Sequence, residues 1–268
     1  MKKTIYLLFG TILLFSCSKP SGSETAAESE VESEYVEFNN PPADGFNQEG
    51  SDLIATILAD KVMVAMGGRK AWDDTRYITW NFFGRRTHTW DKHEGNVRIE
   101  EPSKNLIILI NINSREGRVQ LNGEEIIQPD SLSKYLDLGN RYWINDSYWL
   151  VMPYKLKDSG VTLTYVGEVA TEEGVNSDVV RLTFEDVGVT PDNVYDVWVD
   201  FDSKLVTQWA YYPKITDEKP QFITPWTDYK QYGEIMLSGK RGEYELSNIN
   251  VLEEVPDGTF DSFEVPVQ

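Results

Sequence analysis

The sequence predicts an α+β fold in which an antiparallel sheet is accompanied by two helical regions. Three observations predict it. Apolar residues recur at helical spacing just after residue 50, the chain from Tyr77 onward alternates with a period of two over many short segments, and an aromatic helical segment interrupts those strands. Strands that follow one another through short turns favour an antiparallel meander. Residues 51–268 are numerous enough for one large domain with its own core.

The chain begins with the pattern of an export signal. Two lysines precede an apolar stretch, residues 5–15, that is too short to span a bilayer as a helix. The only cysteine, Cys17, stands three positions after Leu14, a spacing that resembles the lipobox of bacterial lipoproteins. We therefore expect residues 1–16 to be a lipoprotein signal peptide and Cys17 to carry the acyl chains that hold the protein on a membrane. The alternative is an ordinary secreted protein with one free thiol.

Residues 17–50 are predicted to form an acidic, disordered tether. From Ser18 to Gly50 the segment is rich in Ser, Glu, Asn and Pro and contains eight acidic residues and one basic residue. Its low hydrophobicity and like-charge repulsion leave it unable to offset its chain entropy by burial. The predicted organisation is therefore a signal peptide, this tether and a single domain over residues 51–268.

Composition excludes several classes of function. The net charge is −19, and it becomes −21 after loss of the signal peptide, which contains two lysines and no acidic residue. A chain this acidic repels phosphate backbones, so nucleic acid is not an expected partner. Because Cys17 is the only cysteine and His88 and His93 are the only histidines, cysteine-ligated zinc and a three-imidazole site are excluded. No metal and no cofactor are expected.

The domain is predicted to open with a helix over roughly residues 51–66. Ser51 is the expected N-cap, and Asp52 is well placed in the first turn. Gly67 and Gly68 are expected to end the helix, and a short helical piece over residues 69–73 follows. The apolar face consists of Ile54, Ile57, Leu58, Val62 and Ala65.

The strands are predicted in two groups on either side of an aromatic helix. The first strand starts at Tyr77, and the last of the first group is closed by Asn122-Gly123, a strong hairpin signal. The inserted helix is expected over residues 131–152, because Pro153 ends it. The other strands of the first group are predicted at 97–101, 106–110 and 118–121, and those of the second group at 161–166, 179–184, 194–201, 205–212, 226–232, 235–237 and 247–252.

Four groups of residues together resemble a known family. They are Met66-Gly67-Gly68 with Trp72 and the strand of Ile78 and Trp80, Tyr148-Trp149-Leu150 before Met152-Pro153, the hairpin from Asp196 to Trp209, and Asp228-Tyr229 before Gly233, Ile235 and Leu237. In this order they resemble outer-membrane lipoproteins of unassigned function whose fold is similar to the Lol lipoprotein-carrier (LolA/LolB-like) proteins. The resemblance covers about residues 51–265, and Ser238 stands where family members commonly have proline.

The resemblance implies a strongly curved antiparallel sheet, an incomplete β-barrel, with an N-terminal helix and with the inserted aromatic helix as a lid. Proteins of this shape hold acyl chains or other lipids in the concave face. The eight tryptophans are explained either as core residues or as the wall of such a cavity. The candidate ligand-binding residues are Trp80, Phe82, Ile108, Trp143, Trp149, Trp198 and Trp209.

Catalytic signatures are weak. His88, Asp91, His93 and Glu94 have metal-ligand residue types, but turn chemistry also explains their acidic members. Asp200 and Asp202 are better explained by a hairpin turn than by a calcium loop. The sequence contains no nucleophile elbow, P-loop or dinucleotide-binding glycine motif, so a non-catalytic protein is expected and no catalytic residue is proposed.

The preferred prediction is a membrane-anchored lipoprotein that binds an acyl chain, a lipid or a lipoprotein in the concave face of its sheet. Its expected location is the outer membrane of the cell envelope, because Ser18 rather than an aspartate follows Cys17. The second hypothesis is an envelope protein–protein interaction module with a filled core. The third is an envelope hydrolase, which would require His88 or a pair of carboxylates to converge in a cleft.

Overall fold

The computed structural model of the chain describes residues 39–185 and 192–264. The predicted signal peptide, the predicted acylation site Cys17 and the predicted tether up to residue 38 lie outside the described residues. In the described part, the chain forms three α-helices and fourteen β-strands. The predicted α+β class is confirmed.

The three helices lie close to their predicted positions. They are α1 (Leu53–Ala65), α2 (Gly68–Asp74) and α3 (Pro129–Val151), and a short 3₁₀ helix (Met152–Lys155) follows α3. Ser51 was predicted to cap α1, but Asp52 occupies that position. The hydroxyl oxygen of Ser51 instead accepts a hydrogen bond of 3.0 Å from the backbone N–H of Leu163, because the neighbouring strand passes beside the helix start.

The strands extend over most of the rest of the chain. Their bounds are Tyr77–Phe82 (β1), Arg86–Asp91 (β2), Asn96–Glu101 (β3), Leu106–Asn111 (β4), Gly117–Leu121 (β5), Glu124–Glu125 (β6), Val161–Glu168 (β7), Ser177–Phe184 (β8), Val194–Asp200 (β9), Val206–Tyr212 (β10), Phe222–Pro225 (β11), Thr227–Tyr232 (β12), Ile235–Arg241 (β13) and Tyr244–Leu252 (β14).

The strands form two hydrogen-bonded sheets, both antiparallel. The larger has the order β12-β13-β14-β1-β2-β3-β4-β5-β6, and the smaller has the order β11-β10-β9-β8-β7. Trp226 joins β11 to β12, and its backbone N–H donates to the carbonyl of Thr207 at 2.8 Å. One continuous stretch of chain therefore serves both sheets. In the described residues the two outer strands, β6 and β7, are not paired with each other, which confirms an open, incomplete barrel.

The strand β2 was not identified from the sequence. Its core-facing positions include Arg86 and His88, so the alternation of polar and apolar residues that marks a half-buried strand is missing. Both residues are nevertheless buried, and β2 pairs with β1 along its full length. The strand escaped prediction because its inward face is partly charged.

Residues 39–50 pack on the domain, although the tether was predicted to continue to residue 50. Asn40 and Phe46 are buried. The backbone N–H of Ala43 donates to the carbonyl of Lys157, and that of Asn47 donates to the carbonyl of Val161, both at 3.0 Å. The domain boundary therefore lies at or before residue 39, because this polar segment gains backbone partners that a tether would lack.

Gly67 is required where α1 ends. Its φ of 109° is a left-handed conformation that side chains rarely adopt, and a Cβ atom there would lie 2.2 Å from the carbonyl oxygen of Glu234. The end of α1 therefore lies directly against the start of β13. None of the helices in the described ranges is long and apolar enough to cross a membrane.

Candidate functional site

The helix α3 packs closely on the inner face of the larger sheet. A Cβ atom on Gly139 would lie 2.7 Å from Cγ2 of Ile108 on β4, so the absence of a side chain there allows helix and strand to approach. The aromatic residues Trp143 and Trp90 meet edge to face with ring centroids 5.4 Å apart. The inward side of the larger sheet is therefore filled by the helix.

A buried charged cluster connects α3 to β2. Asp146 accepts hydrogen bonds of 2.7 and 2.9 Å from the guanidinium of Arg86, and Nε2 of His88 lies 2.7 Å from the same carboxylate. All three residues are buried, and Trp80 stacks on the imidazole ring. Burial lowers the pKa of His88, so its ring is neutral near pH 7 and donates from Nε2 to Asp146.

The carboxylate of Asp146 stays ionised in this cluster. Burial alone would raise the pKa of Asp146, but the hydrogen bonds from His88 and Arg86 outweigh it and hold this pKa below its ordinary value. A charged carboxylate in the core is tolerated because all its close partners are donors. The cluster thus fixes the position of α3 against the sheet.

A buried arginine holds the C-terminal end of α3. Arg241 donates a hydrogen bond of 2.6 Å to the backbone carbonyl of Trp149, and its guanidinium carbon lies 3.4 Å from the ring centroid of Trp226. Burial lowers the pKa of Arg241 to about 9. A cation at this end of a helix is favoured by the helix dipole. The backbone of Trp149 is therefore held by Arg241, which packs on Trp226, the residue that joins the two sheets.

A cleft of about 590 Å³ lies where the end of α3 faces the smaller sheet. Its volume falls in the range of roughly 300–1,000 Å³ that is typical of sites for drug-sized ligands. Half of its lining residues are aromatic. The lining residues are Trp143, Ile144, Asn145, Ser147, Tyr148, Trp149, Lys155, Asp158, Ser159, Val161, Phe184, Asn193, Tyr195, Trp209, Tyr211 and Phe222.

The aromatic walls are ordered by ring contacts. Trp209 on β10 meets Trp149 edge to face at 4.8 Å and stacks with Tyr195 at 5.0 Å, both measured between ring centroids. Phe222 on β11 stacks with Trp149 at 5.8 Å. The wall of the cleft is thus built from both α3 and the smaller sheet, and it is apolar.

Several polar groups interrupt this wall. Lys155 and Asp158 form an ion pair whose side chains are 33% and 40% exposed. The hydroxyl of Tyr148 is buried and has no hydrogen-bond partner in the described residues, and burial raises its pKa well above the ordinary value. The indole N–H groups of Trp143 and Trp209 are likewise buried without a partner there. The cleft therefore offers one neutralised charge pair, one unpaired hydroxyl and two unpaired indole N–H groups.

The structure divides the predicted ligand-binding residues among three places. Trp143, Trp149 and Trp209 line the cleft. Trp80, Phe82 and Ile108 lie buried in the main core on the larger sheet, where α3 packs, and none of them lines the cleft. Trp198 belongs to a separate small cluster with Val179 and Ala210.

Register explains the position of Trp198. Trp209 pairs with Val197, whereas Trp198 pairs with Gln208, so the two tryptophans point to opposite faces of the smaller sheet. Tyr148, Tyr195 and Tyr211 also line the cleft, but they are not among the predicted ligand-binding residues. Because Tyr211 lies two positions after Trp209 on β10, both side chains point to the same face of the strand, and this spacing would have identified Tyr211.

The residues with metal-ligand side chains do not converge. His88 faces the core, whereas Nε2 of His93 lies 2.8 Å from the carbonyl of Asp73. Asp91 pairs with Arg76 and accepts hydrogen bonds from the backbone N–H groups of the next turn. The turn interpretation is confirmed, and in the described residues no group of three or more histidine, cysteine or acidic side chains is placed to hold a metal.

The Asp200 turn has the expected hairpin geometry, since its carboxylate accepts hydrogen bonds from the backbone N–H and hydroxyl of Ser203 at 2.7 and 2.6 Å.

The hydrolase hypothesis requires either His88 or a pair of carboxylates in a cleft. His88 does not lie in a cleft, because this residue is fully buried beneath α3. That the protein is not an enzyme stays a prediction.

Comparison with known proteins leaves the family unassigned. No family model and no curated protein matches the sequence. Solved structures with a similar arrangement include a DUF1329 family protein from Desulfovibrio piger ATCC 29098, with a TM-score of 0.41 and 14% sequence identity over 77% of this chain and 97% of that chain. Another is a chain of the structure of MucB in complex with MucA(peri), with a TM-score of 0.22 and 12% identity over 78% of this chain and 59% of that chain.

Proposed function

We propose that the protein is a membrane-anchored, non-catalytic lipoprotein that binds the acyl chain of a lipid or of another lipoprotein in the cleft between α3 and the smaller sheet. The observation that carries this proposal is the aromatic cleft of about 590 Å³. Its apolar walls would transfer an alkyl chain out of water at roughly 25 cal/mol per Å² of buried apolar surface.

The size of the cleft limits the occupant. A volume in the range of drug-sized ligands fits one alkyl chain with a small polar end better than a whole diacyl lipid. The aromatic rings on both walls contact one another and are therefore preorganised, which reduces the entropy lost on binding. A single chain lying along the aromatic wall that Trp149 and Trp209 form together is the arrangement that this geometry supports.

The helix α3 acts as a wall of this site. It was expected to be a lid that competes with the ligand, and it does contribute Trp143, Tyr148 and Trp149 to the cleft. However, Arg86 and Arg241 fix it at two points. The ligand would therefore enter from the open side of the cleft, near Lys155 and Asp158, without release of the helix.

Calorimetric titration tests the binding proposal. The full chain carrying Cys17→Ser, which removes the predicted acylation site and with it the need for detergent, is titrated with decanoate, with 1-monodecanoylglycerol and with 1-O-decylglycerol. We expect one-to-one binding of at least one of these, reduced at least tenfold by Ser159→Trp, which places a large ring in the cleft. Ser133→Trp on the exposed side of α3 is the matched control and should bind like the parent. If none of the three ligands binds, the proposal is wrong.

The interaction-module hypothesis is favoured by one observation. The inner face of the larger sheet is filled, with Trp80 and Ile108 fully buried. If the cleft beside the smaller sheet holds no ligand, the protein would bind partners through its surface. Native mass spectrometry of the full chain extracted from cell envelopes separates the two hypotheses, because a co-purifying lipid supports the cleft and a stoichiometric protein partner without lipid supports the module.

The membrane anchor is a separate part of the proposal. Cys17 and its preceding apolar segment support acylation and, with Ser18 next to it, an outer-membrane location. Radiolabelled palmitate should enter the wild-type chain and not Cys17→Ala, and the variant should be released from the membrane fraction. If both chains remained in the membrane fraction to the same extent, the proposed anchor would be wrong. The proposed binding site in the cleft would still stand.

A further inference from the structure

The hydroxyl of Tyr148 differs from the other deeply buried tyrosine hydroxyls. Tyr154 donates to the carbonyl of Met66 at 2.7 Å, and Tyr229 donates to the carbonyl of Val206 at 2.9 Å. Tyr148 has a buried hydroxyl with no such acceptor in the described residues, and its side chain lines the cleft. Buried hydroxyl groups are rarely left unpaired, because each one forfeits the hydrogen bonds it made with water. A ligand with an acceptor oxygen would supply the missing partner.

The charges of the cleft disfavour an anionic ligand. Lys155, which is the only cationic lining residue in the described part of the chain, is already paired with Asp158. A carboxylate would have to displace Asp158 and then lie beside it, in a chain whose net charge is −19. The remaining polar lining residues are neutral hydroxyl and amide side chains, among them Ser159 and Asn193. A neutral acceptor such as an ester or amide carbonyl avoids this repulsion.

We infer that the cleft selects neutral acyl esters or amides over free fatty acids, and that the Tyr148 hydroxyl donates a hydrogen bond to their carbonyl oxygen. This inference rests on the proposed function and names the ligand class of the same site. The selection has two independent parts: the paired charges of Lys155 and Asp158 reject a free carboxylate, and the hydroxyl of Tyr148 recognises the carbonyl.

Three ligands that each have one unbranched ten-carbon chain separate these parts. The glycerol ester has the carbonyl, 1-O-decylglycerol lacks it, and decanoate has a negative charge. The ester should bind about 3- to 10-fold more tightly than the ether, which is the effect of one hydrogen bond, and more tightly than decanoate. Tyr148→Phe, which removes only the hydroxyl, should abolish the preference for ester over ether.

Asp158→Asn tests the charge part, because it frees Lys155 and should raise the affinity for decanoate relative to the ester. Equal binding of ester and ether by the wild-type cleft, or an ester preference that survives in Tyr148→Phe, overturns the inference and leaves the proposed function standing. Tighter binding of decanoate than of the ester overturns it in the same way. If none of the three ligands binds, the proposed function fails and the inference fails with it.

Discussion

Asp146 on α3 accepts two hydrogen bonds from the guanidinium of Arg86 on β2, across the interface between the helix and the larger sheet. Both side chains are buried. This ion pair and the close contact of Gly139 with Ile108 decide which part of the inner surface the helix covers. The cleft is the part of this inner surface that α3 does not cover.

Loss of this buried pair should be strongly destabilising. Asp146→Asn leaves the charge of Arg86 buried without a counter-charge, so the free energy of unfolding should fall by about 3–5 kcal/mol. Urea denaturation followed by tryptophan fluorescence measures it. Glu245→Gln is the matched control, because Glu245 pairs with Lys240 on the surface and its loss should change stability by less than about 1 kcal/mol. Similar losses in both variants would contradict this view of the cluster.

Stability should fall on mild acidification because of His88. Burial lowers the pKa of His88 below its ordinary value of 6.5, so the unfolded chain binds a proton there at pH values where the folded chain does not. The free energy of unfolding should therefore decrease as the pH falls below about 6.5, by at most about 1.4 kcal/mol per pH unit from this group. His88→Gln should show a shallower dependence between pH 7 and 5 than the wild type.

Asp146, the carboxylate that His88 contacts, contributes a second part of this pH dependence. The carboxylate of Asp146, whose pKa is lowered, adds a further loss of stability only at lower pH, as the pH falls through that pKa. An unchanged slope in His88→Gln would show that the acid sensitivity arises elsewhere.

The approach of α3 to β4 should not tolerate a methyl group. Gly139→Ala places Cβ 2.7 Å from Cγ2 of Ile108, whose branched side chain has little freedom to move. The variant should lose about 1–3 kcal/mol of stability, although alanine favours a helix more than glycine does. In a chain that already carries Ile108→Ala, the additional change Gly139→Ala should cause little further loss of stability. Asp137→Ala, on the exposed side of α3, is the control and should be nearly neutral. Additive effects of the two core changes would argue against the contact.

Arg241 should not be replaceable by lysine. Lysine keeps the charge but lacks the planar group that lies over Trp226 and donates at the same time to the carbonyl of Trp149 and the hydroxyl of Ser238. Arg241→Lys should lower the free energy of unfolding by about 1–3 kcal/mol. Lys240→Arg, at the exposed neighbouring position, should leave stability unchanged. A wild-type midpoint for Arg241→Lys would show that only the charge is required.

The sequence was most informative where hydrophobic period and turn residues agree. The period of β1 and the glycines after α1 gave the correct elements, because Ile78, Trp80 and Phe82 do face the core. It failed at β2, where Arg86 and His88 occupy inward positions, and at the predicted tether, where Phe46 packs on the domain. In both places a tertiary partner overrides the local pattern.

The candidate site was only partly predictable for a related reason. Trp80 and Trp209 are alike in sequence, both on strands and both fully buried, yet only Trp209 lines the cleft. The difference depends on where α3 lies, and that depends on Asp146, an acidic residue that a sequence pattern assigns to the surface. Trp198, in contrast, was excluded by register alone, because it faces away from Trp209.

Photo-crosslinking locates the bound chain in the protein. The full chain carrying Cys17→Ser is irradiated with a 1-monodecanoylglycerol bearing a diazirine at the end of its acyl chain, and the labelled peptides are mapped by mass spectrometry. We expect label on the segments that carry Trp149 and Trp209, and its loss in Ser159→Trp but not in Ser133→Trp. Label spread over the surface, or equal labelling of both variants, would contradict the proposed location of the chain.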